Sequence, residues 1–362
     1  TGEANIFRSS NPGCGIWKTS DGGESWTHMG LKETFTISRI LVHPQNSDIV
    51  YVAASGHEWT QNRERGLFKT TDGGKSWEKI LYKGPESGVN DLVMDPRDPE
   101  ILYATTWQRT RLKWNDPRTY EHHKHNGVWK STNGGKNWKQ LTNGLPAANF
   151  MGRTGIDVAR SNPDVVYAFV DDYEIAFRAE EGELDSYGRP KQNVIKGATL
   201  YRSDDAGESW KQVSGLTEES KKYMSGHSGT YGWVFGQMRV DPNDENRVYT
   251  LGLWINISTD GGATFEPIRG KIHADQHGMW IDPDNSNYIL AAHDGGISVS
   301  YDKGENWRNL IPELPLAQFY NVEFDNSQPF RVFGSVQDHH SFYSEVDLSR
   351  GRDRIRPTEW EY

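Results

Sequence analysis

Short stretches of alternating apolar and polar residues run through the whole chain. In one recurring element an alternating strand ends at a turn, often with proline, and a second strand rich in Val, Ile and Tyr follows; residues 40–44 and 49–52 are an example. A period of two with β-branched and aromatic residues is typical of β-strands. The element begins again near residues 92, 156, 238, 279 and 322. The pattern therefore predicts a repeated pair of antiparallel strands.

A second pattern, S/T-x-D-x-G-x-x-W, follows these strand pairs. The carboxylate can accept hydrogen bonds from backbone N–H groups of the turn, and the glycine permits the positive φ of a tight hairpin. The Trp begins the next strand and offers a large apolar face. Asn133 replaces the acid in the third copy and Phe265 replaces the Trp in the fifth. The copies span residues 19–26, 70–77, 131–138, 203–210, 258–265 and 300–307.

These two patterns together predict an all-β fold, a β-propeller of four-stranded blades with Asp-box turns. Repeat folds grow by adding units, and closing the ring protects the strand edges. The repeats fit about seven blades, with the first blade lacking its inner strand; part of a larger propeller is the alternative. Residues 1–362 would form a single propeller domain, and we expect it to be a fragment of a longer chain with further domains.

Composition narrows the classes of partner. The chain has 362 residues and a formal net charge of −10, which disfavours nucleic acid as a partner because phosphate binding needs clustered Lys and Arg. No apolar run approaches the ~20 residues of a transmembrane helix. The single Cys14 excludes an intramolecular disulfide and leaves the cellular compartment open.

The boxes resemble the Asp-box, or BNR, repeat of sialidases, some xyloglucan-cleaving enzymes, the sortilin-type propeller and photosystem-assembly propellers. The chain is more closely similar to large bacterial exported proteins described as BNR-repeat glycosyl hydrolases with a sortilin-like propeller. The resemblance implies a propeller and an extracytoplasmic location (secreted, periplasmic or cell-surface), but it does not fix the function, because the boxes are structural turns. The residues that carry it are 1–5, 8–9, 15–23, 65–74, 104–109, 293–296 and 336–338.

The loops that leave the second strands should meet at the mouth of a central channel, and they are rich in aromatic, acidic and amide side chains. Flat apolar faces suit a sugar ring, and polar groups suit its hydroxyls. This predicts a module that binds a glycan or a protein partner; simple packing of the Trp residues between blades is the alternative. The ligand-binding candidates are His57, Trp59, Trp107, Gln108, Arg109, Trp254 and Gln337.

The same loops offer carboxylates. Glycoside hydrolysis needs two carboxyl groups that flank one bond, so a glycoside hydrolase is an alternative function, and solvated rim acids are the alternative role for these side chains. A scaffold in a larger envelope complex is a third alternative. An arginine triad of the sialidase type is less favoured than arginines that bond neighbouring strands, because the Arg-Ile-Pro signature is absent. The catalytic candidates are Glu58, Asp172, Glu174, Asp294 and Asp338.

The segment around residue 275 suggests a metal site. On one strand His273, Asp275 and His277 would share a face, because they are two positions apart. Imidazole and carboxylate ligands suit zinc or another transition metal, so a divalent metal ion is a candidate cofactor. Hydrogen bonding among channel-lining side chains is the alternative.

Overall fold

The computed structural model describes residues 2–5, 11–108, 124–227, 236–268, 272–310, 319–336, 341–347 and 349. Strands dominate these ranges, and α1 (Glu218–His227) is the one α-helix within them. No helix in the described ranges has the length and apolar character of a membrane span.

Within the described residues the strands form seven antiparallel sheets, and each sheet keeps its strands in sequence order. The first sheet has two strands, the next five have four each, and the last has three. The terminal sheets contain β1 (Trp17–Lys18) and β2 (Thr27–His28), and β23 (Phe319–Phe324), β24 (Arg331–Val336) and β25 (Ser341–Glu345).

The five four-stranded sheets share one plan, in which a box joins the third strand to the fourth. The second sheet is β3 (Ile37–His43), β4 (Asn46–Ala54), β5 (Gly66–Thr70) and β6 (Glu78–Leu81); the third is β7 (Ser87–Met94), β8 (Leu102–Gln108), β9 (Gly127–Ser131) and β10 (Lys139–Leu141). The fourth is β11 (Met151–Val158), β12 (Val166–Phe177), β13 (Val194–Ser203) and β14 (Lys211–Gln212); the fifth is β15 (Gln237–Asp241), β16 (Asp244–Leu251), β17 (Ile255–Ser258) and β18 (Glu266–Ile268). The sixth is β19 (Gln276–Ile281), β20 (Ile289–His293), β21 (Gly296–Ser300) and β22 (Arg308–Asn309).

The first strands of neighbouring sheets pack against one another in the order β3, β7, β11, β15 and β19. Apolar side chains of adjacent sheets also pack against one another. One such cluster joins Tyr103 and Val128 of the third sheet to Ile156 and Val166 of the fourth. This arrangement confirms the predicted all-β propeller of four-stranded blades. The first sheet contains the two strands that flank its box, and residues 6–10, which precede it, lie outside the described part; the count of seven blades stays a prediction.

The box at residues 70–77 forms the turn expected from its sequence. Asp72 Oδ1 accepts hydrogen bonds from the backbone N–H groups of Lys75 and Ser76 at 2.9 and 3.0 Å. The Thr70 hydroxyl donates to Asp72 Oδ1 at 2.7 Å and accepts from the Gly74 N–H at 2.9 Å. The predicted role of the acid is therefore confirmed, and the hydroxyl that starts the motif has a structural role of its own.

In the third and fifth boxes the second glycine also lets adjacent sheets pack closely. Gly135 has a φ of +86°, and a Cβ placed there would lie 2.4 Å from Cδ1 of Ile80 in the preceding sheet. Gly262 has a φ of +97°, and its Cβ would lie 2.4 Å from Cδ2 of Leu200, again in the preceding sheet. The preceding position tolerates a side chain, since Ala206 stands there in the fourth sheet.

A buried tyrosine on the second strand ties one sheet to the box of the next. Tyr249 is fully buried, and its hydroxyl donates to the Lys303 carbonyl at 3.1 Å. Burial raises the pKa of Tyr249 to about 12. The hydroxyl therefore acts as a neutral donor between two sheets.

Tyr249→Phe is expected to lower the free energy of unfolding by about 1–3 kcal/mol, because it leaves the Lys303 carbonyl without this donor. Urea unfolding measures the change. Tyr301→Phe is the matched control, since Tyr301 is 66% exposed. Its free energy of unfolding should be almost that of the wild type. Equal losses in the two variants would contradict the role of the Tyr249 hydroxyl.

The box carboxylates should make stability depend on pH in acid. Hydrogen bonds from the Ser209 side chain, the Ser209 backbone and the Ser203 side chain lower the pKa of Asp205 to about 2. A carboxyl with a depressed folded pKa contributes stability that is present above its unfolded value of about 3.9 and is lost as the pH falls through the folded value. We expect stability to fall between about pH 4 and pH 2.

Asp205→Asn should reduce this loss, because the amide oxygen can accept from the Ser203 hydroxyl and the Ser209 backbone N–H, as Asp205 Oδ1 does, without titrating. The third box already uses Asn133, whose Oδ1 accepts from the Asn137 N–H at 2.9 Å. Urea unfolding at pH values from 7 to 2 gives the free energy of unfolding of the wild type and the variant. If that free energy falls equally steeply in both between pH 4 and pH 2, Asp205 is not the group that titrates.

Candidate functional site

The ends of the second strands and the starts of the first strands lie at the same end of each four-stranded sheet. Register shows this directly, since Ser87 pairs with Gln108 and Gln276 pairs with His293. We call this end of the sheets the mouth. The loops predicted to carry the site therefore do leave the sheets at one common face.

Asn5 lies at the mouth and contacts three different sheets. Its Oδ1 accepts hydrogen bonds from Arg153 Nη2 at 2.5 Å and from Gln237 Nε2 at 3.2 Å. Its Nδ2 lies 3.0 Å from His277 Nδ1 and 3.1 Å from the His277 carbonyl oxygen. A residue that precedes the first strand thus joins β11, β15 and β19.

These contacts fix the orientation of the amide and the tautomer of His277. The guanidinium of Arg153 can only donate, so the oxygen of Asn5 must face it and the NH2 group must face His277. His277 Nδ1 is then an acceptor, and the proton lies on Nε2, which donates to Asp294 Oδ1 at 2.6 Å. Asp294, His277, Asn5 and Arg153 form one continuous hydrogen-bonded chain.

The loop that carries His57 is held by a buried arginine. Arg65 is 1% exposed and donates to the backbone carbonyls of Thr60 and Glu86, each at 2.9 Å, and to that of His57. It also donates to Asn62 Oδ1 at 2.9 Å. Burial lowers the pKa of Arg65 to about 10, so the group keeps its charge at neutral pH.

The His57 ring faces the N-terminal segment across a small cavity. The ring stacks on Phe35 with centroids 3.9 Å apart. A cavity of 10 Å³, about the room for one water molecule, lies between Ala4, His57, Trp107 and Arg153. The structure therefore brings His57, Trp107, His277 and Asp294, all predicted from sequence, around residues 4 and 5.

The exposure of the predicted aromatic residues differs. Trp59 is 41% exposed at the mouth, whereas Trp107 is 4% exposed and packs inside it. Trp254 is half-buried in the turn between β16 and β17, where its carbonyl accepts from the Asn256 side chain at 3.1 Å.

The remaining ligand-binding candidates are polar. Gln108 is half-buried, and its backbone N–H donates to Asn126 Oδ1. Arg109 and Gln337 lie outside the described residues.

Two predicted carboxylates meet at the base of the long β12–β13 hairpin. Asp172 is fully buried, accepts from the Tyr201 hydroxyl at 2.9 Å and lies 3.5 Å from Lys196 Nζ. Burial raises the pKa of Asp172. Lys196 also pairs with the more exposed Glu174. Glu174, rather than Asp172, is therefore the acid that a ligand could reach; Glu58 is 8% exposed, and Asp338 lies outside the described residues.

The expectation that His273, Asp275 and His277 alternate along one strand is wrong. β19 begins at Gln276, and Asp275 has a φ of +61°, which breaks the alternation. The His273 ring instead stacks on His293 with centroids 5.9 Å apart, while His277 pairs with Asp294. Among the described residues no three His, Cys, Asp or Glu side chains form a group able to hold a metal ion.

The three inner arginines bond separate neighbours. Arg39 Nε lies 3.2 Å from Asp91 Oδ1 on the next first strand, and Arg239 Nε donates to the Met279 carbonyl at 3.2 Å. Arg153 binds Asn5. Arg39 and Arg239 thus connect neighbouring strands as expected, whereas Arg153 holds the N-terminal segment.

Sequence reasoning missed Asn5 and Gln237 as members of the mouth. Residues 1–5 stood out only as part of the family resemblance, and Gln237 begins a strand with no unusual local pattern. Their importance comes from contacts between residues more than 200 positions apart.

Comparisons with known proteins agree with the propeller fold. The family model Sortilin-Vps10, described as "Sortilin, neurotensin receptor 3", matches residues 14–181. An ancestral GH74 enzyme has a similar fold, with a TM-score of 0.55 and 15% identity over 93% of this chain and 42% of its own. The chain is an Asp-box β-propeller. This Asp-box propeller also has relatives among xyloglucanases.

Two of these relatives cover most of the Asp-box propeller. The xyloglucanase Xgh74A of Acetivibrio thermocellus is 23% identical over 342 residues, which is 82% of this chain and 35% of the relative. A xyloglucanase of Paenibacillus sp is 25% identical over 346 residues, which is 87% of this chain and 30% of the relative. The chain thus spans about a third of the length of the curated relatives it matches.

Proposed function

We propose that this Asp-box propeller binds a glycan at the mouth and acts outside the cytoplasm. The observation that carries the proposal is the convergence of polar side chains from the fourth, fifth and sixth sheets on one amide, with the exposed Trp59 on a loop of the same face. Glycan sites combine flat aromatic faces with a few fixed polar groups. The relatives named xyloglucanases support a glycan in preference to a protein partner.

The mouth has the two kinds of group that a sugar needs. Trp59 offers an exposed ring on a loop that Arg65 holds rigid. The Asp294 and Glu174 side chains are 27% and 39% exposed and can accept hydrogen bonds from hydroxyls. A rigid aromatic and fixed acceptors on one face lose little entropy when a sugar binds.

Hydrolysis is the second candidate function, and the names of the relatives favour it. Two carboxyl groups would have to flank one glycosidic bond. Among the catalytic candidates in the described residues, Glu174 and Asp294 are accessible, and each already has a basic partner, Lys196 and His277. We propose these two acids as the pair to test, with Asp172 in a supporting role beside Lys196.

Trp59→Ala is expected to weaken glycan binding about tenfold or more, because stacking on an exposed ring contributes about 1–2 kcal/mol. The affinity is measured by isothermal titration with xyloglucan, other β-glucans and N-acetylated oligosaccharides. A peptide library is titrated in the same way. Trp26→Ala is the control, since Trp26 is 55% exposed in the first box, away from the mouth.

The outcome separates the alternatives. Binding of peptides alone, or equal losses in the two variants, would contradict glycan binding at the mouth. Release of reducing sugar by the wild type, abolished in Glu174→Gln or Asp294→Asn, would add hydrolysis to binding.

A further inference from the structure

The Asn5 side chain is bound in the mouth as a small ligand would be. A carboxamide has a carbonyl oxygen that accepts two hydrogen bonds and an NH2 group that donates two. Arg153 and Gln237 donate to the oxygen, and His277 Nδ1 and the His277 carbonyl accept from the nitrogen. Every hydrogen-bonding position of the amide is therefore matched.

The groups that bind this amide are held by other contacts as well. Arg153 is 3% exposed in β11. Gln237 Nε2 also donates to the His277 carbonyl at 2.8 Å, and Asp294 holds the far side of the His277 ring. The receptor is thus built from the fourth, fifth and sixth sheets, whereas its occupant comes from the N-terminal segment.

The pattern of donors and acceptors selects a neutral amide. Two donors converge on one point, which favours a carbonyl oxygen as the acceptor. The lone pair of His277 Nδ1 and the His277 carbonyl face the other end, so a carboxylate would meet two acceptors and be repelled.

We propose that the mouth contains a subsite for the acetamido group of an N-acetylated glycan, and that Asn5 occupies it as an intramolecular competitor. The proposal rests on the proposed glycan binding. The acetamido carbonyl accepts from Arg153 and Gln237, its N–H donates to His277 Nδ1, and its methyl takes the place of Asn5 Cβ. A secondary amide reproduces three of the four hydrogen bonds of Asn5, and the sugar ring adds its own contacts.

Two matched trisaccharides test this subsite. The β-1,4-linked trimers of N-acetylglucosamine and of glucose differ only in carrying an acetamido group or a hydroxyl at each C2. We expect Asn5→Gly to bind the N-acetylated trimer at least about tenfold more tightly than the wild type does, because the competitor is gone. The glucose trimer should gain much less, and Gln237→Leu in the Asn5→Gly background should remove most of the preference.

A measurement on the wild type does not depend on how the variants fold. In saturation-transfer NMR with the N-acetylated trimer, the acetamido methyl protons should receive the strongest saturation. Equal affinity of Asn5→Gly for the two trimers, or saturation spread evenly over the ring protons, would overturn the subsite. Glycan binding that persists without a preference for acetamido groups would overturn this inference alone, whereas loss of all glycan binding would overturn the proposed function too.

Discussion

Gly155→Ala is expected to lower the free energy of unfolding by about 3 kcal/mol or more. A Cβ on Gly155 would lie 2.4 Å from the carbonyl oxygen of Gly236 in the next sheet. Because this oxygen belongs to the backbone, no side-chain rotation can relieve the clash. The strands β11 and β15 would therefore have to move apart. That movement would also separate Arg153 from Gln237, which together hold the Asn5 amide.

Gly278→Ala is the matched control for this substitution. Gly278 pairs with Ala292 at the same place in its sheet as Gly155, which pairs with Phe169. A Cβ on Gly278 would meet only the Ala292 Cβ, at 4.0 Å, so the control should lose much less stability. Urea unfolding compares the two; a Gly155→Ala protein as stable as the control would contradict the close backbone approach of the sheets.

Arg65→Ala is expected to cost about 3–5 kcal/mol and to disorder the loop at residues 55–65. The carbonyls of Thr60, Glu86 and His57 would lose a charged donor. Gly56 has a φ of +84°, and a Cβ on it would lie 2.2 Å from Arg65 Cγ. The loop is therefore shaped around the arginine, and Trp59 depends on it for its position.

Arg63→Ala is the control for Arg65→Ala, because Arg63 lies in the same loop with its side chain exposed. Arg63→Ala should leave the free energy of unfolding and the glycan affinity almost unchanged. Arg65→Ala should lower both, as measured by urea unfolding and by glycan titration. Intact glycan binding in a folded Arg65→Ala protein would show that the loop takes no part in the mouth.

The fold could be predicted because its signals are local and repeated. Each box holds within eight residues the hydroxyl, the acid or amide, the glycine and the aromatic that form its turn, as the contacts of Asp72 show. The choice of glycine at position 135 has a second cause, the Ile80 side chain of the preceding sheet, which no single box reveals. The type of fold followed from the sequence, and the packing between sheets did not.

The mouth could be predicted only in part. The loops that follow the second strands were correctly placed at one face, because strand order alone fixes that end. The burial of Trp107 and Asp172 depends on packing that alternation does not encode. Asp275 was misplaced because a residue in the left-handed region ends the alternation on which the prediction relied. Asn5 was missed because its partners are distant in sequence.

The most direct measurement is a crystal structure of the wild-type chain with the oligosaccharide that binds it most tightly. The account predicts sugar density at the mouth, in contact with Trp59 and within hydrogen-bonding distance of Asp294 or Glu174. Sugar bound on the outer boxes, or at the opposite end of the sheets with the mouth unchanged, would contradict it.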